Sequence, residues 1–223
     1  MSISNNIVVP PLYPILDFSC FAAKTDPGAA MLSFADQLLT AGATIIQYRD
    51  KQYRDKSSAA GHFLSNAREL RRLTLNRARL IINDRVDLAL ACDADGVHLG
   101  QDDLSPAAAR KIFDQVKDGR TRIIGFSTHN LSQIKEADAM PIDYLAVGPV
   151  FATGSKTNPD PVIGLDGVRA ARAATRKPLV AIGGIKRTNA QHVREAGANS
   201  VAVIADLLDA PAKAIEDFLR VLG

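Results

Sequence analysis

Gln47, Arg49 and Lys51 stand at every second position where the apolar run of "IIQYRDK" ends. Side chains along a strand alternate faces, so an amide and two cations point one way while Tyr48 and Asp50 point the other. Such a set is either a holder for a charged, polar ligand or a solvated strand end. Farther along, Asn83 and Asp84 close "RLIIND", and Asp103 follows "VHLGQD". Each of these carboxylates alone has the ordinary role of a cap or surface charge. Together at neighbouring strand ends they offer hard oxygen ligands to Mg²⁺, which takes one or two carboxylates and leaves its other positions to water and phosphate. Lys156 in "TGSK" is either a plain loop lysine or, beside the hydroxyls of Thr153 and Ser155, a point charge for pyrophosphate. Gly183 and Gly184 in "IGGI" have the form of a phosphate turn, because paired glycines let backbone N–H groups approach an anion at a helix start. His129 either carries a proton or orders its loop.

Eight short runs rich in β-branched residues must position these groups. They are "LYPIL" from Leu12, "ATIIQ" at 43–47, "RLII" at 79–82, "DGVHL" at 95–99, "RIIGF" at 122–126, "DYLAVG" at 143–148, "PLVAIG" at 178–183 and "SVAVI" at 200–204. Helical signals fall between them. Ser105–Pro106 reads as an N-cap with proline at the first helical position. Thr188 with Gln191 has the form of a capping box, and Gly197 can close that helix in the left-handed conformation. Ile215, Phe218, Leu219 and Leu222 share one face at helical spacing. No linker or low-complexity tract divides the chain, so residues 1–223 are expected to form one domain, with 1–10 preceding the first strand. Eight strand–helix units of this length fit a (β/α)8 TIM barrel, an α/β fold. The alternative, a doubly wound open sheet, usually has fewer strands and a glycine-rich fingerprint after the first, which this chain lacks. Barrel chemistry sits at the C-terminal ends of the strands. The polar residues above fall at those ends.

Composition narrows the partners. Of 223 residues, 47% are apolar and 5% aromatic, enough for a core of Ala, Val, Ile and Leu. The net charge of +3 is spread along the chain, with no basic arm or stripe, so nucleic acid is not expected as a partner. Cys20 and Cys92 match no metal-ligand spacing and no disulfide framework. No apolar run reaches the roughly 18 residues of a membrane span, and "MSISNNIVVPP" lacks a signal peptide's basic start and apolar core. A cytoplasmic protein acting on small molecules, with self-association left open, is the expectation.

The blocks "QYRDK", "INDRVDLALACDADGVHLGQDDLSP", "IIGFSTHN", "GPVFATGSK", "AIGGI" and "SVAVIADLL" occur in that order. They resemble the signature blocks of thiamine-phosphate synthases, over residues 12 to about 208. The resemblance implies a TIM barrel that joins a pyrimidine diphosphate to a thiazole phosphate, giving thiamine phosphate and pyrophosphate. It assigns the pyrimidine diphosphate to Gln47, Tyr48, Arg49, Asp50, Lys51, Asn83, Ser127 and Lys156. Of these, Lys156, Arg49, Lys51 and Ser127 would act on the reacting bond. Asp84 and Asp103 would bind Mg²⁺. The thiazole phosphate falls to Thr153, Gly154, Ser155, Gly184 and the Ile204–Ala205 backbone. The implied mechanism is dissociative, with a ring-stabilised pyrimidine cation captured by the thiazole nitrogen. Two positions depart from the pattern: Ser155 where threonine is usual, which keeps the hydroxyl, and Ala205 where serine is usual, which loses one. A thiazole tautomerase shares the barrel and the thiazole site but has no use for a metal–diphosphate site. A noncatalytic phosphate binder is the rival of another class.

Overall fold

A computed structural model describes residues 9–51, 59–154 and 160–223. Eight strands alternate with eight helices: β1 (Leu12–Asp17), α1 (Pro27–Thr40), β2 (Ile45–Arg49), α2 (Ala59–Thr74), β3 (Arg79–Asn83), α3 (Val86–Ala91), β4 (Gly96–Leu99), α4 (Pro106–Gln115), β5 (Ile123–Thr128), α5 (Leu131–Asp138), β6 (Tyr144–Val147), α6 (Gly164–Ala174), β7 (Leu179–Ile182), α7 (Ala190–Glu195), β8 (Ser200–Val203) and α8 (Pro211–Leu222). All neighbouring strands pair in parallel, and β1 returns to β8 with Leu12 opposite Val201, so the sheet closes into a barrel. This is the (β/α)8 architecture expected from the eight runs.

The period-two alternation divides the apolar residues between two cores. Tyr13, Ile15, Ile45, Ile81, Ile123, Tyr144, Ala146, Val180 and Ala202 fill the barrel interior. The opposite-facing set, including Ile46, Tyr48, Leu80, Ile82, Val97, Ile124 and Leu145, packs under the helices. On α8, Ile215, Phe218 and Leu222 are buried as their spacing requires.

Caps fix where helices begin. Asp26 accepts from Ala29 N at 2.9 Å, with Pro27 at the first helical position. Ser105 accepts from Ala108 N at 3.3 Å ahead of Pro106. The expected capping box at Thr188 is not formed. The N-cap of α7 is Asn189, and its side chain turns back to accept from Lys186 N at 2.8 Å and donate to Gly184 O at 3.2 Å. That short turn uses the amide group to hold the loop rather than the helix. Gly197, with φ of 110°, does close α7.

One arrangement recurs at the N-terminal ends of the strands. Asp95, just before β4, accepts from Leu80 N of β3 at 2.8 Å and from Arg71 of α2 at 2.8 Å. Asp143, before β6, accepts from Ile124 N of β5 at 2.7 Å and from Arg110 of α4 at 2.8 Å. Asn199, before β8, accepts from Leu179 N of β7 at 2.9 Å and from Arg172 of α6 at 2.8 Å. Each clamp satisfies a strand-end N–H that has no ladder partner and ties strand to helix.

Candidate active site

The opposite end of the barrel opens into a cavity of about 600 Å³. Because β2 extends to Arg49, the inward parity of Ile45 carries on through Gln47 and Arg49, and Lys51 follows just beyond. All three polar groups line the cavity. Tyr48 and Asp50 do not. Tyr48 is fully buried on the outer face, its ring 4.6 Å from that of Phe63 on α2, and its hydroxyl accepts from Asn66 at 3.4 Å. Asp50 is also buried, close enough to raise the Tyr48 phenol further after burial itself. Their assignment to the substrate is therefore corrected: the alternation of the strand turns them toward the helices.

The cations of this wall are held by carboxylates. Arg49 pairs with Asp17 at the end of β1, and Lys51 pairs with Asp84. Asp17 is in turn fixed by Ser19, whose hydroxyl donates to it at 2.6 Å. Asp84 leaves β3 with φ of 65°, and its N–H donates to His98 O at 2.8 Å, which carries the carboxylate into the cavity. Asp103 accepts from Gly100 N at 2.8 Å. Burial and the adjacent Asp84 carboxyl raise the Asp103 carboxyl above its ordinary range. Beside them Asn83 keeps a buried amide nitrogen with no hydrogen-bond partner.

This donor set fits Mg²⁺. Two carboxylates adjoin, and the repulsion by which Asp84 raises Asp103 is relieved by a shared cation. Among the described residues no group of three or more His, Cys, Asp and Glu can hold a metal, so the remaining positions would fall to water and ligand oxygens. Charge points the same way. The described cavity wall carries the cations Arg49, Lys51 and Lys186 against the carboxylates Asp84, Asp102, Asp103, Asp160 and Asp206. A polyanion entering it needs a further positive charge.

The far wall is a backbone site. Gly183 and Gly184 have φ of 103° and 63°, and a Cβ on Gly184 would meet Phe151 Cβ at 2.7 Å. Ile204 and Ala205 continue the wall after β8, and Thr153 faces it from the β6 side. Gly154 is exposed and outside the lining; Ser155 and Lys156 lie outside the described residues. His129 does order its loop: Nδ1 lies 2.8 Å from Gly148 O and 3.4 Å from Asp160, while its N–H donates to Gln133 at 2.7 Å.

Between the walls the floor is formed by Ile15, Tyr13, Tyr144, Ala146, Val180 and Ile182. Ser127, at the end of β5, faces the cavity with Oγ 2.8 Å from His98 Nε2. The pair has the outline of a nucleophile and its base, but the base is wrong. Burial pushes the His98 imidazole down to about 4, and its other nitrogen meets the Tyr144 hydroxyl at 2.9 Å instead of a carboxylate. Sequence reasoning overlooked Tyr13, His98, Tyr144, Asp17 and Lys186. Lys186 follows "IGGI" directly and Asp17 follows "LYPIL", so both were visible; Tyr13, His98 and Tyr144 sit inside runs that read as core.

A family model described as thiamine monophosphate synthase matches residues 18–207. The chain is 49% identical over 220 residues to a thiamine-phosphate synthase of Koribacter versatilis, covering 98% of this chain and 99% of that protein. It is 41% identical over 200 residues to that of Chloroflexus aurantiacus, covering 89% and 85%. Among solved structures, thiamine phosphate pyrophosphorylase from Pyrococcus furiosus superposes with a TM-score of 0.78 at 32% identity, covering 95% of each chain.

Proposed function

The chain belongs to the thiamine-phosphate synthase family, transferases of thiamine biosynthesis, and from that premise we propose how its cavity works. It joins 4-amino-2-methyl-5-(diphosphooxymethyl)pyrimidine to a thiazole phosphate, with or without a carboxylate on the thiazole, and releases pyrophosphate, together with CO2 when the thiazole carries the carboxylate. One observation supports this: a single cavity has two ends of different kinds, each suited to an anion. One end offers side-chain cations and paired carboxylates from β2 to β4, and the other offers glycine backbone from β7 and β8.

The pyrimidine diphosphate would lie over the apolar floor with its diphosphate against Arg49, Lys51, Asn83 and Lys156. Asp84 and Asp103 would hold Mg²⁺, which when bound neutralises charge on the departing pyrophosphate. As the methylene C–O bond breaks, its electron pair leaves with pyrophosphate, and Arg49, Lys51 and Lys156 meet the growing charge. The Asn83 amide nitrogen, buried and unpartnered in the protein alone, is suited to donate to the same oxygens. The ring-stabilised methylene cation is then captured by the thiazole nitrogen lone pair, forming the C–N bond. The thiazole phosphate would rest on Gly184 and the Ile204–Ala205 backbone, with Thr153 and Ser155 beside it and Lys186 within the same wall. No covalent intermediate is needed, which agrees with a His98 too weak a base to activate Ser127.

A cytoplasmic setting suits the two free cysteines, Cys20 and Cys92. Incubation with both substrates and Mg²⁺, followed by assay of thiamine phosphate and pyrophosphate, tests the proposal. Both products should form together and only with both substrates. Isomerisation of the thiazole phosphate with no pyrophosphate released would replace the synthase by a tautomerase.

A further inference from the structure

A line of hydrogen bonds crosses the barrel interior from Gln47 to Ser127. Gln47 Nε2 donates to the Tyr13 hydroxyl at 3.2 Å, and that hydroxyl lies 2.8 Å from the Tyr144 hydroxyl. Tyr144 lies 2.9 Å from His98 Nδ1, and His98 Nε2 lies 2.8 Å from Ser127 Oγ. Five strands (β2, β1, β6, β4 and β5) are thereby joined by groups that are each limited to a single hydroxyl or ring proton once the amide has given its own.

The protons in such a line cannot be placed independently. An amide nitrogen only donates, so the Tyr13 oxygen accepts from Gln47; the arrangement that leaves no proton of the line unused sends the Tyr13 proton to Tyr144. The Tyr144 proton then goes to His98 Nδ1. A neutral imidazole that accepts at Nδ1 carries its proton on Nε2 and gives it to Ser127 Oγ. The Ser127 hydroxyl proton is left directed at the cavity that Ser127 lines.

Gly125 makes this line possible. It stands opposite His98 on one side and Tyr144 on the other in the strand register. A Cβ there would collide with the Tyr144 ring, which instead lies across the gap with its centroid 5.5 Å from the His98 ring at 22°. A glycine in mid-strand, where a side chain is ordinarily packed, marks that close approach.

We infer that Tyr13, Tyr144 and His98 are positioning residues: a polarised relay that makes Ser127 a hydrogen-bond donor to the ligand and leaves Gln47 Oε1 as the accepting end. The inference rests on the synthase proposal and on the expectation from the sequence that Gln47 and Ser127, both on the cavity wall, face the pyrimidine diphosphate. It adds that the two ends are coupled, because reversing the donor at one end requires every member to reverse. A ligand offering a donor to Gln47 and an acceptor to Ser127 matches the relay; one with the opposite pattern opposes it.

Nitrogen NMR of protein labelled with ¹⁵N-histidine, with His98 assigned by its loss in His98→Gln, reads the relay without turnover. The wild type is expected to show the neutral Nε2–H tautomer near neutral pH. Tyr144→Phe, which removes one oxygen and keeps the ring, should shift the tautomer balance. An Nδ1–H tautomer in the wild type overturns the inference. Kinetics supply the second arm. Tyr144→Phe should lower kcat/KM for the pyrimidine diphosphate by about two- to tenfold. Ser127→Ala should then cost at least about fivefold less in that background than in the wild type, as members of one network couple. Independent, multiplying losses would overturn it. If Tyr144→Phe melts far below the wild type, Tyr13→Phe carries the same comparison from the other side. A wild-type protein that forms no thiamine phosphate would sink the synthase proposal, whereas the relay would still stand or fall on the histidine tautomer.

Discussion

The two ends of the barrel treat polar groups in opposite ways. At the N-terminal ends of the strands, Asp95, Asp143 and Asn199 each bind a strand N–H and an arginine, so the chain completes its own hydrogen bonding. Arg122 and Ser200 are exceptions there: Arg122 pairs with Asp118 at 2.6 Å and lies over Phe113, yet keeps Nε and Nη1 without partners, and Ser200 Oγ, at the start of β8, has none either. At the C-terminal ends, two carboxylates crowd together and an asparagine nitrogen is buried without a partner, and all three groups line the cavity. One end lowers the energy of the folded chain by itself. The other holds cost that a ligand can relieve. What differs is that the crowded carboxylates and the unpartnered amide of the second end face an open cavity.

Variants at the two ends should therefore separate activity from stability. The largest effect is expected at Lys156→Ala, which should lower kcat/KM on the order of 10²–10³-fold, as loss of one preorganised contact to developing charge does. Its melting temperature should stay at the wild-type value. A near-normal kcat would remove Lys156 from the leaving-group set. Next, Asp84→Asn and Asp103→Asn should each raise the Mg²⁺ concentration for half-maximal rate by about tenfold or more. Their effects should be non-additive if one ion serves both. In metal-free protein Asp103→Asn should raise the melting temperature, since it relieves crowding with Asp84. A lowered value would mean that the carboxylate pair belongs with the self-completing end.

Asp143→Ala reverses the signature. It strands the Ile124 N–H and removes the carboxylate from Arg110, whose guanidinium keeps only Arg122 O and Pro141 O, a loss of about 1–3 kcal/mol. For a chain of this size that is a fall of about 2–12 °C in melting temperature. Well below the transition, kcat/KM should be unchanged; a drop there would show that the clamp reaches the site. The smallest effect sharpens the boundary. Asp26 caps α1 in the connection that follows β1, on the cavity side of the barrel, but it is spent on Ala29 N. Asp26→Ala should cost about 1 kcal/mol and leave the kinetics alone. Altered kinetics would mean that position at the open end, rather than the absence of a partner, decides function.

Much of this contrast was legible before folding. Eight β-branched runs gave the strands because burial on both faces of a parallel sheet demands them. The period-two spacing put Gln47, Arg49 and Lys51 on one wall, and strand ends located Asn83, Asp84, Asp103, Ser127 and Gly184. The same alternation should have kept Tyr48 and Asp50 out, where whole-block likeness had included them. Tyr13, Tyr144 and His98 stayed hidden for a different reason. Each reads as one more member of a buried strand, and the contact between Tyr13 and Tyr144 spans 131 positions of sequence. The α7 cap failed because Asn189 outcompeted Thr188 for the turn through two bonds that only the folded loop supplies.

The seam where β1 meets β8 also governs how the molecule is made. Leu12 and its partner Val201 are 189 positions apart. At about 5–20 residues per second of synthesis, the first strand waits roughly 10–40 s for the strand that will cover its open side. Every other strand gains its second neighbour as soon as the next strand–helix unit emerges. Through that interval the nascent sheet has two unpaired margins, one fixed at β1 and one advancing with the newest strand, and such margins recruit foreign strands. The vulnerable moment in this protein's life is thus its birth: the ring of hydrogen bonds that leaves the finished barrel without an edge cannot close until β8 has emerged.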